Sequence, residues 1–353
     1  MRAVAIDEFV KDLANVKVKD VPKPEINRPN DLLVKITHAS ITHVDTLYAL
    51  GHHQNNKRHV QPPFILGNEF AGIVDAAPAH SCFRKGARVF GGKLGSYAEW
   101  ICVDESAGDV REVPRDMTNA EAVAVGVSGA VSWGGLVKKV GFSVERMGMR
   151  AQLKQGEWAL ILGASGGLGA IAVQIAKAAG AKVIAVVGSK EKAELVQSIG
   201  ADEVIDYHEP MWEDKVKSLA GGEGVHVVYD AIGAIESGLK CLRYGGRLVI
   251  VGFAARGGQI EDIKANRILL KGVSVIGYRF GEEGRRDPRT TKEAWDGFME
   301  MVRAGKIKPV AWREKYGLED VPRALLDLQA HRVAGRAVVT IDEGAEEGVR
   351  ARL

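Results

Sequence analysis

The run Gly163-Ala-Ser-Gly-Gly-Leu-Gly169 is the stretch whose residue types and spacing best suit phosphate chemistry. Its spacing, Ala164-x-Gly166-x-x-Gly169, is a dinucleotide-binding pattern with alanine in the first glycine position. Gly166 carries no side chain, so a pyrophosphate can approach its backbone, and Gly169 lets a following helix pack closely on a preceding strand. The first turn of such a helix offers free N–H groups and the positive end of its dipole to an anion. Further along, the apolar run Lys182–Val187 ends in Gly188-Ser189-Lys190-Glu191-Lys192. An acidic side chain at that point accepts hydrogen bonds from a ribose 2′-OH, whereas a basic one pairs with a 2′-phosphate. No carboxylate stands at this strand end, and Ser189, Lys190 and Lys192 are donors. Charge-assisted hydrogen bonds contribute roughly 1.5–3 kcal/mol each, so two of them are enough to select NADP(H). The plainer alternative puts both lysines on a solvated helix face.

These residues need a strand, a turn and a helix to position them. Trp158–Leu162 is a continuous apolar run, and Ala170–Ala179 repeats apolar residues at Ile171, Val173, Ile175 and Ala178. From Glu157 onward the pattern alternates. Strands are predicted at Leu160–Leu162, Val183–Val187, Glu203–Ile205, Val225–Tyr229, Leu248–Val251 and Val273–Ile276. Helix ends are predicted at Gly180, Gly200 and Gly245. A further helix is predicted over Thr291–Ala304. Such alternation implies a parallel sheet with right-handed crossovers. Residues 1–125 read as mostly β, with short runs at Arg2–Ile6, Leu32–Ile36, Ala71–Val74, Ala87–Phe90 and Tyr97–Val103 separated by turn signals. Asn119–Lys139 is predicted helical and crosses into the second domain, and Val140–Gln155 is a connection. The chain rejoins the first domain through Val310–Tyr316 and Arg336–Ile341, and the charged tail Asp342–Leu353 reads as disordered.

At 353 residues the chain has room for two domains. A hydrophobic share of 46% and a charged share of 26% suit a globule with a sizeable core. A net charge of +3 gives no reason to invoke nucleic acid or a membrane surface. No apolar run reads as long enough to span a bilayer. Cys82, Cys102 and Cys241 show no metal or redox spacing and read as reduced thiols in a cytoplasmic protein. The terminal Ala351-Arg352-Leu353 is similar to the Ser-Lys-Leu peroxisomal address, with a frayed chain end as the plain alternative.

With these residues in view, the chain resembles the medium-chain dehydrogenase/reductase superfamily, and within it the zinc-independent quinone oxidoreductases of the zeta-crystallin group. The resemblance rests on Val44-Asp45-Thr46, Gly67-Asn-Glu69, Gly86-Ala-Arg-Val89, Gly95-Ser-Tyr-Ala-Glu99 and Ala164 to Gly169. It continues through Gly200-Ala-Asp-Glu-Val-Ile-Asp-Tyr207, Gly245-Gly-Arg-Leu248 and Gly305-Lys-Ile-Lys-Pro309. It implies an α/β fold in two parts. A GroES-like, partly open β-barrel is built from residues 1–126 and 309–353 and carries the catalytic side. A Rossmann domain with a doubly wound parallel sheet spans residues 127–308 and carries NADP(H). The resemblance puts Ala164, Ser165, Gly166, Gly167 and Leu168 in the cofactor turn, and Gly188, Ser189 and Lys192 at the 2′-phosphate. It puts Tyr207 beside the adenosine, Ser128 near the nicotinamide, and Val251, Gly252 and Phe253 along it. An ordinary surface aromatic is the alternative for Tyr207, and a plain strand end for Val251–Phe253.

Related alcohol dehydrogenases hold a catalytic zinc through a Cys-His pair, a Gly-His-Glu triplet and a further cysteine. Here the first motif reads Thr42-His43-Val44-Asp45, the triplet reads Gly67-Asn68-Glu69, and no cysteine occurs between Cys102 and Cys241. A catalytic zinc normally takes three protein ligands, so no metal is expected. Without a Lewis acid, simple carbonyls are hard to polarise, whereas quinones and enones delocalise added charge onto oxygen. Such acceptors need orientation, a few hydrogen bonds and a proton. The resemblance makes Thr42, Asp45 and Tyr48 the catalytic candidates, with water as another proton source. Many members have asparagine where Thr42 stands and tyrosine where Leu47 stands. Asp45 has a second reading as a structural carboxylate paired with Arg336. The expected function is NADPH-dependent, zinc-free reduction of quinones or α,β-unsaturated carbonyl compounds, by hydride or by one-electron transfer. The alternatives are a non-catalytic NADPH-binding sensor or structural protein, and an alcohol dehydrogenase-like enzyme acting on simple carbonyls. Gly272–Gly277 is a candidate edge strand for a homodimer.

Overall fold

In the computed structural model, residues 1–139, 156–254, 259, 261–342 and 344 are described. The chain divides into two compact units, Met1–Val127 with Pro309–Leu353, and Ser128–Lys308. The first boundary lies one residue beyond the expected one. It falls inside a helix, where no break in composition marks it.

The first unit opens with strands β1 (Arg2–Ile6), β2 (Val18–Asp20) and β3 (Asp31–Ser40), then helix α1 (His43–Leu50). It continues through β4 (Phe64–Ile65), β5 (Glu69–Ala76), β6 (Arg88–Gly92), β7 (Trp100–Asp104) and β8 (Val110–Glu112). β3 is the spine, paired antiparallel with both β5 and β7. It runs past its predicted end at Ile36 because Thr37, His38 and Ser40 are buried despite their polarity. Thr37 Oγ1 donates to the Ala71 carbonyl at 3.2 Å and Ser40 Oγ to Glu69 at 3.0 Å, which satisfies both hydroxyls away from water. Leu32, Val34, Ile36, Phe70, Val74 and Ile101 pack into one apolar cluster. Val4, Ile41, Tyr48, Leu66, Tyr97 and Val339 belong to a second.

Helix α2 (Asn119–Trp133) bends at Gly126, where φ is 40° and ψ is −155°, and a wider helical turn follows over Gly134–Lys139. Against the reading of the apolar runs, Asn119–Lys139 is long and apolar enough to cross a bilayer by length and composition. Its apolar window is 72% buried inside the protein, the place of a core helix.

The second unit alternates strand and helix: β9 (Trp158–Leu162), α3 (Gly167–Ala178), β10 (Lys182–Val187), α4 (Lys190–Ser198), β11 (Glu203–Asp206), α5 (Trp212–Leu219), β12 (Val225–Asp230), α6 (Ile235–Cys241) and β13 (Leu242–Ile250). Next come α7 (Ala265–Lys271), β14 (Ser274–Gly277), α8 (Phe280–Arg286) and α9 (Pro288–Arg303). The six strands form one parallel sheet in the order β11-β10-β9-β12-β13-β14. The chain winds outward from β9 to β11 and then resumes on the other side of β9 at β12. That reversal creates a switch point between the ends of β9 and β12. One helix end needs correction: α6 stops at Cys241, and Gly245 lies inside β13. Gly245 has φ +72° near a register shift between β12 and β13, so it marks an irregular strand, not a helix cap.

The chain then adds β15 (Tyr316–Gly317), α10 (Val321–Gln329) and β16 (Val338–Thr340) to the first unit. β16 pairs antiparallel with β3, giving a seven-stranded sheet. The predicted return run Val310–Tyr316 does rejoin the first unit, through a bridge between Ala311 and Arg336 and through Tyr316 in β15. The expected connection Val140–Gln155 and the tripeptide Ala351-Arg352-Leu353 lie outside the described residues.

Candidate active site

β9 is paired on both sides, and its Leu160, Ile161 and Leu162 are buried, so the turn that leaves it has a fixed base. The Gly166 N–H closes that turn on the Gly163 carbonyl at 3.1 Å. Gly166 is the N-cap of α3, with φ −82° and ψ 173°. A Cβ on Gly169 would lie 2.2 Å from the Gly163 oxygen and 2.7 Å from Ala164 Cα, so helix and turn meet there without room for a side chain. Gly166 differs. A Cβ there would meet only the Gly163 oxygen, at an ordinary 3.5 Å. Protein packing does not require glycine at this position, whereas a pyrophosphate approaching the backbone does. The turn thus fits a dinucleotide phosphate. Ala164 and Ser165 are buried, and Gly167 and Leu168 are half-buried.

At the end of β10, a Cβ on Gly188 would lie 2.5 Å from the Tyr207 hydroxyl, so the two residues are in contact. Tyr207 follows β11, donates its N–H to the Val187 carbonyl at 3.1 Å and is 47% exposed. Ser189 caps α4, its Oγ accepting from the Lys192 N–H at 3.3 Å. The hydroxyl hydrogen is not used by that bond. Lys190 is exposed. Lys192 is half-buried, and burial holds its ammonium below the usual lysine range. Gly188, Ser189, Lys192 and the Tyr207 ring therefore converge at one strand end.

Beyond β13, the Val251 N–H bonds the Asp230 carbonyl at 2.9 Å. A Cβ on Gly252 would meet the Ala231 oxygen at 2.7 Å, and one on Gly233 would meet Phe253 at 3.1 Å. Val251, Gly252 and Phe253 thus run alongside the turn after β12. Ser128 is buried in the part of α2 beyond Gly126. Asp230 ends β12 beside the switch point and was not read from the sequence. Its Oδ1 accepts from the Ile232 and Gly233 N–H groups at 3.0 and 2.9 Å, while its Oδ2 is buried without a partner among the described residues. Burial pushes this carboxyl up to about 6, against the pull of the backbone bonds. The signal that could have found it is the strand followed by Asp-x-x-Gly.

On the first unit, Asp45 is fully buried and gathers four hydrogen bonds. Its Oδ2 accepts from the Thr42 N–H at 2.7 Å, the Thr42 hydroxyl at 2.8 Å and the Tyr97 hydroxyl at 2.7 Å; its Oδ1 accepts from Asn68 Nδ2 at 2.5 Å. Burial pushes the carboxyl up to about 6, and the bonds from Tyr97, Thr42 and Asn68 oppose it. Tyr97 is held well above the usual phenol range, first by burial and then by the Asp45 charge. Thr42 and Asp45 form a capping arrangement at the start of α1, which is why both sit there.

The expected partner of Asp45 needs correction. Arg336 Nη2 stands 3.8 Å from Glu69 Oε1, and its Nη1 donates to the Ile41 carbonyl at 3.4 Å. Asp45 is satisfied by neutral donors, which leaves the guanidinium to the adjacent buried Glu69. Tyr48 also lies apart from this network. Its ring packs in the cluster of Leu66 and Leu325, edge-on to His53 at 4.6 Å, and its oxygen accepts from Asn55 at 2.8 Å. Asn68 and Tyr97 are members of the network that were not singled out as site residues.

Thr42 and Asn68 stand at two of the positions at which related enzymes carry zinc ligands. Both are bound to Asp45, and a carboxamide nitrogen is no metal ligand. Among the described residues, no group of three or more His, Cys, Asp or Glu side chains is placed to hold a metal ion.

The family model for the alcohol dehydrogenase GroES-like domain matches residues 28–172, and that for zinc-binding dehydrogenase matches residues 167–300. A quinone oxidoreductase-like protein 2 homolog of Nematostella vectensis is 31% identical over 344 residues, covering 96% of this chain and 88% of the relative. Escherichia coli quinone oxidoreductase, solved in complex with NADPH, is 26% identical with a TM-score of 0.82, covering 96% of this chain and all (100%) of that one. A mycobacterial protein solved with NADPH is 27% identical, also with a TM-score of 0.82 and coverage of 96% and 100%.

Proposed function

The chain belongs to the medium-chain dehydrogenase/reductase superfamily, in its quinone oxidoreductase branch, and from that premise we propose an NADPH-dependent reductase that works on quinones or α,β-unsaturated carbonyl compounds without zinc. The observation that carries the cofactor is the space left at Gly166, where no protein atom needs glycine, beside a β10 end furnished with Ser189 and Lys192, where the one acidic residue, Glu191, sits in the first turn of α4 beside Lys192. When bound, NADPH supplies a hydride. The turn from Gly163 to Gly169 offers backbone N–H groups and the start of α3 to the pyrophosphate. Ser189 and Lys192 pair with the 2′-phosphate, and Tyr207 flanks the adenosine. Val251, Gly252 and Phe253 line the nicotinamide end.

On the catalytic side, Thr42, Asp45 and Asn68 form a fixed polar group with no charge of its own beyond one buried carboxylate. A conjugated acceptor spreads incoming charge onto its oxygen, so hydrogen-bond donors suffice where a simple ketone would need a Lewis acid. Water delivers the proton. The test is NADPH oxidation against a panel of quinones, enones and simple ketones, with product identification. Turnover with conjugated acceptors alone supports the reading. Turnover confined to simple carbonyls, or none at all despite NADPH binding, refutes it.

A homodimer is part of the proposal. β14 is an edge of the parallel sheet. Near it, Tyr244, Leu269 and Leu270 are exposed at 77%, 79% and 73%, which suits burial against a second copy. A monomeric mass in solution would reject the dimer.

A further inference from the structure

The Asp45 network contains two wholly buried side chains, Asp45 and Tyr97, and two half-buried ones, Thr42 and Asn68. It meets its surroundings through the latter pair. Counting hydrogens decides what each has to offer. Thr42 owns one hydroxyl hydrogen, and that hydrogen is committed to Asp45 Oδ2. Only lone pairs remain on its oxygen. Tyr97 has a single hydrogen too, facing Asp45 Oδ2 and the Ser40 carbonyl, both inside the protein. Asn68 owns two N–H groups. One points at Asp45 Oδ1, and because a carboxylate only accepts, the amide is fixed with its nitrogen on that side. The second N–H is unspent.

The backbone beneath Asn68 is pinned as well. Lys93 donates to the Asn68 carbonyl at 2.9 Å, and Gly95 and Ser96 donate to the Gly67 carbonyl at 2.8 and 3.1 Å. Anchored at the main chain and at the amide, the side chain has little freedom left. A donor held this way needs no reorganisation when charge develops opposite it.

We propose that Asn68 donates a hydrogen bond from its second Nδ2–H to the acceptor's oxygen as that oxygen gains negative charge, with Asp45 as the positioning residue that orients the amide. No proton leaves the amide; the reduced oxygen takes its proton from water. The inference rests on the proposed reductase function and names the donor for it, a role that neither Thr42 nor Tyr48 fills.

The test compares wild type, Asn68→Ala and Asn68→His, with chelator present throughout, using 1,4-benzoquinone and an enone. Asn68→Ala is expected to lose about 100-fold in kcat, the scale seen when one preorganised donor is removed, with NADPH affinity and acceptor KM changed less than threefold. Asn68→His must give one ring N–H to Asp45, so a neutral imidazole has no outward donor. Its kcat relative to wild type is therefore expected to rise at least tenfold as pH falls from 8.5 to 7 and the ring takes a second proton, a range in which Asp45, raised to about 6, stays ionised. An Asn68→Ala enzyme retaining more than a third of wild-type kcat overturns the inference, and so does a pH-independent ratio for Asn68→His. If Asn68→Ala does not fold, the histidine profile decides alone. Failure of wild type with every acceptor overturns the reductase reading instead.

Discussion

Replacing Gly166 with alanine separates the protein's own packing from the demands of its cofactor. The added methyl meets one protein atom, the Gly163 oxygen, at 3.5 Å, and the φ of −82° with ψ of 173° is open to alanine. Alanine is a poorer N-cap than glycine, which costs the fold up to about 1 kcal/mol. That corresponds to a fall in Tm of roughly 2–4 °C for a domain of this size. NADPH faces a different situation on the proposed assignment, because the methyl would occupy the space given to its pyrophosphate. Forcing a methyl-sized group into a fitted contact costs about 1–3 kcal/mol, or roughly 5- to 150-fold in Kd at 1.4 kcal/mol per decade. Nucleotide fluorescence titration read beside a thermal melt measures both quantities on one sample. A variant that folds and binds NADPH as tightly as wild type would refute the assignment of this turn to the pyrophosphate.

Other perturbations test the remaining links. Gly169→Ala drives a Cβ to 2.2 Å from a backbone carbonyl, so its Tm is expected to fall several times further than that of Gly166→Ala. Lys192→Ala is expected to weaken NADPH binding about tenfold while leaving NADH affinity within twofold, since NADH carries no 2′-phosphate for the ammonium to meet; equal losses for both nucleotides would contradict its role. Asp230→Asn keeps an acceptor for Ile232 and Gly233 but cannot ionise. The Asp230 carboxyl, raised to about 6 in the folded protein from 3.8, gives the folded state extra protons between pH 4 and 6. Its contribution to stability therefore declines as pH rises through that window. The variant should match wild type most closely near pH 4 and gain on it by about 2–3 kcal/mol above pH 6.5, measured by urea unfolding. Using the difference between the two proteins cancels His43, whose pKa is lowered to about 4 by burial and whose effect runs with the opposite sign. A gain independent of pH would show that Asp230 is already ionised freely.

What was legible in the sequence was what is local in the chain. The strand, turn and helix around Gly166 sit within one stretch, and the donors proposed for the 2′-phosphate sit within five consecutive residues at the β10 end. The Asp45 network was not legible, because Tyr97 lies 52 residues away and Asn68 lies 23 away. Nothing in spacing says which of two buried carboxylates a guanidinium will meet, so Arg336 was given to Asp45 when Glu69 holds it. The polar end of β3 failed for a related reason: Thr37 and Ser40 read as a break until their partners across the sheet are known. Tyr48 was one position from a family tyrosine, and one position on a helix turns a side chain by about 100°. Tyr48 packs in the cluster of Leu66 and Leu325.

The reaction proposed for this protein is metal-free electron transfer from NADPH to a conjugated acceptor. The most direct measurement is steady-state NADPH oxidation with 1,4-benzoquinone by protein dialysed against chelator, with residual metal quantified in the same sample. Turnover undiminished at negligible metal content, and much slower with NADH, is the predicted result. Activity that vanishes on chelation and returns with added zinc would contradict it.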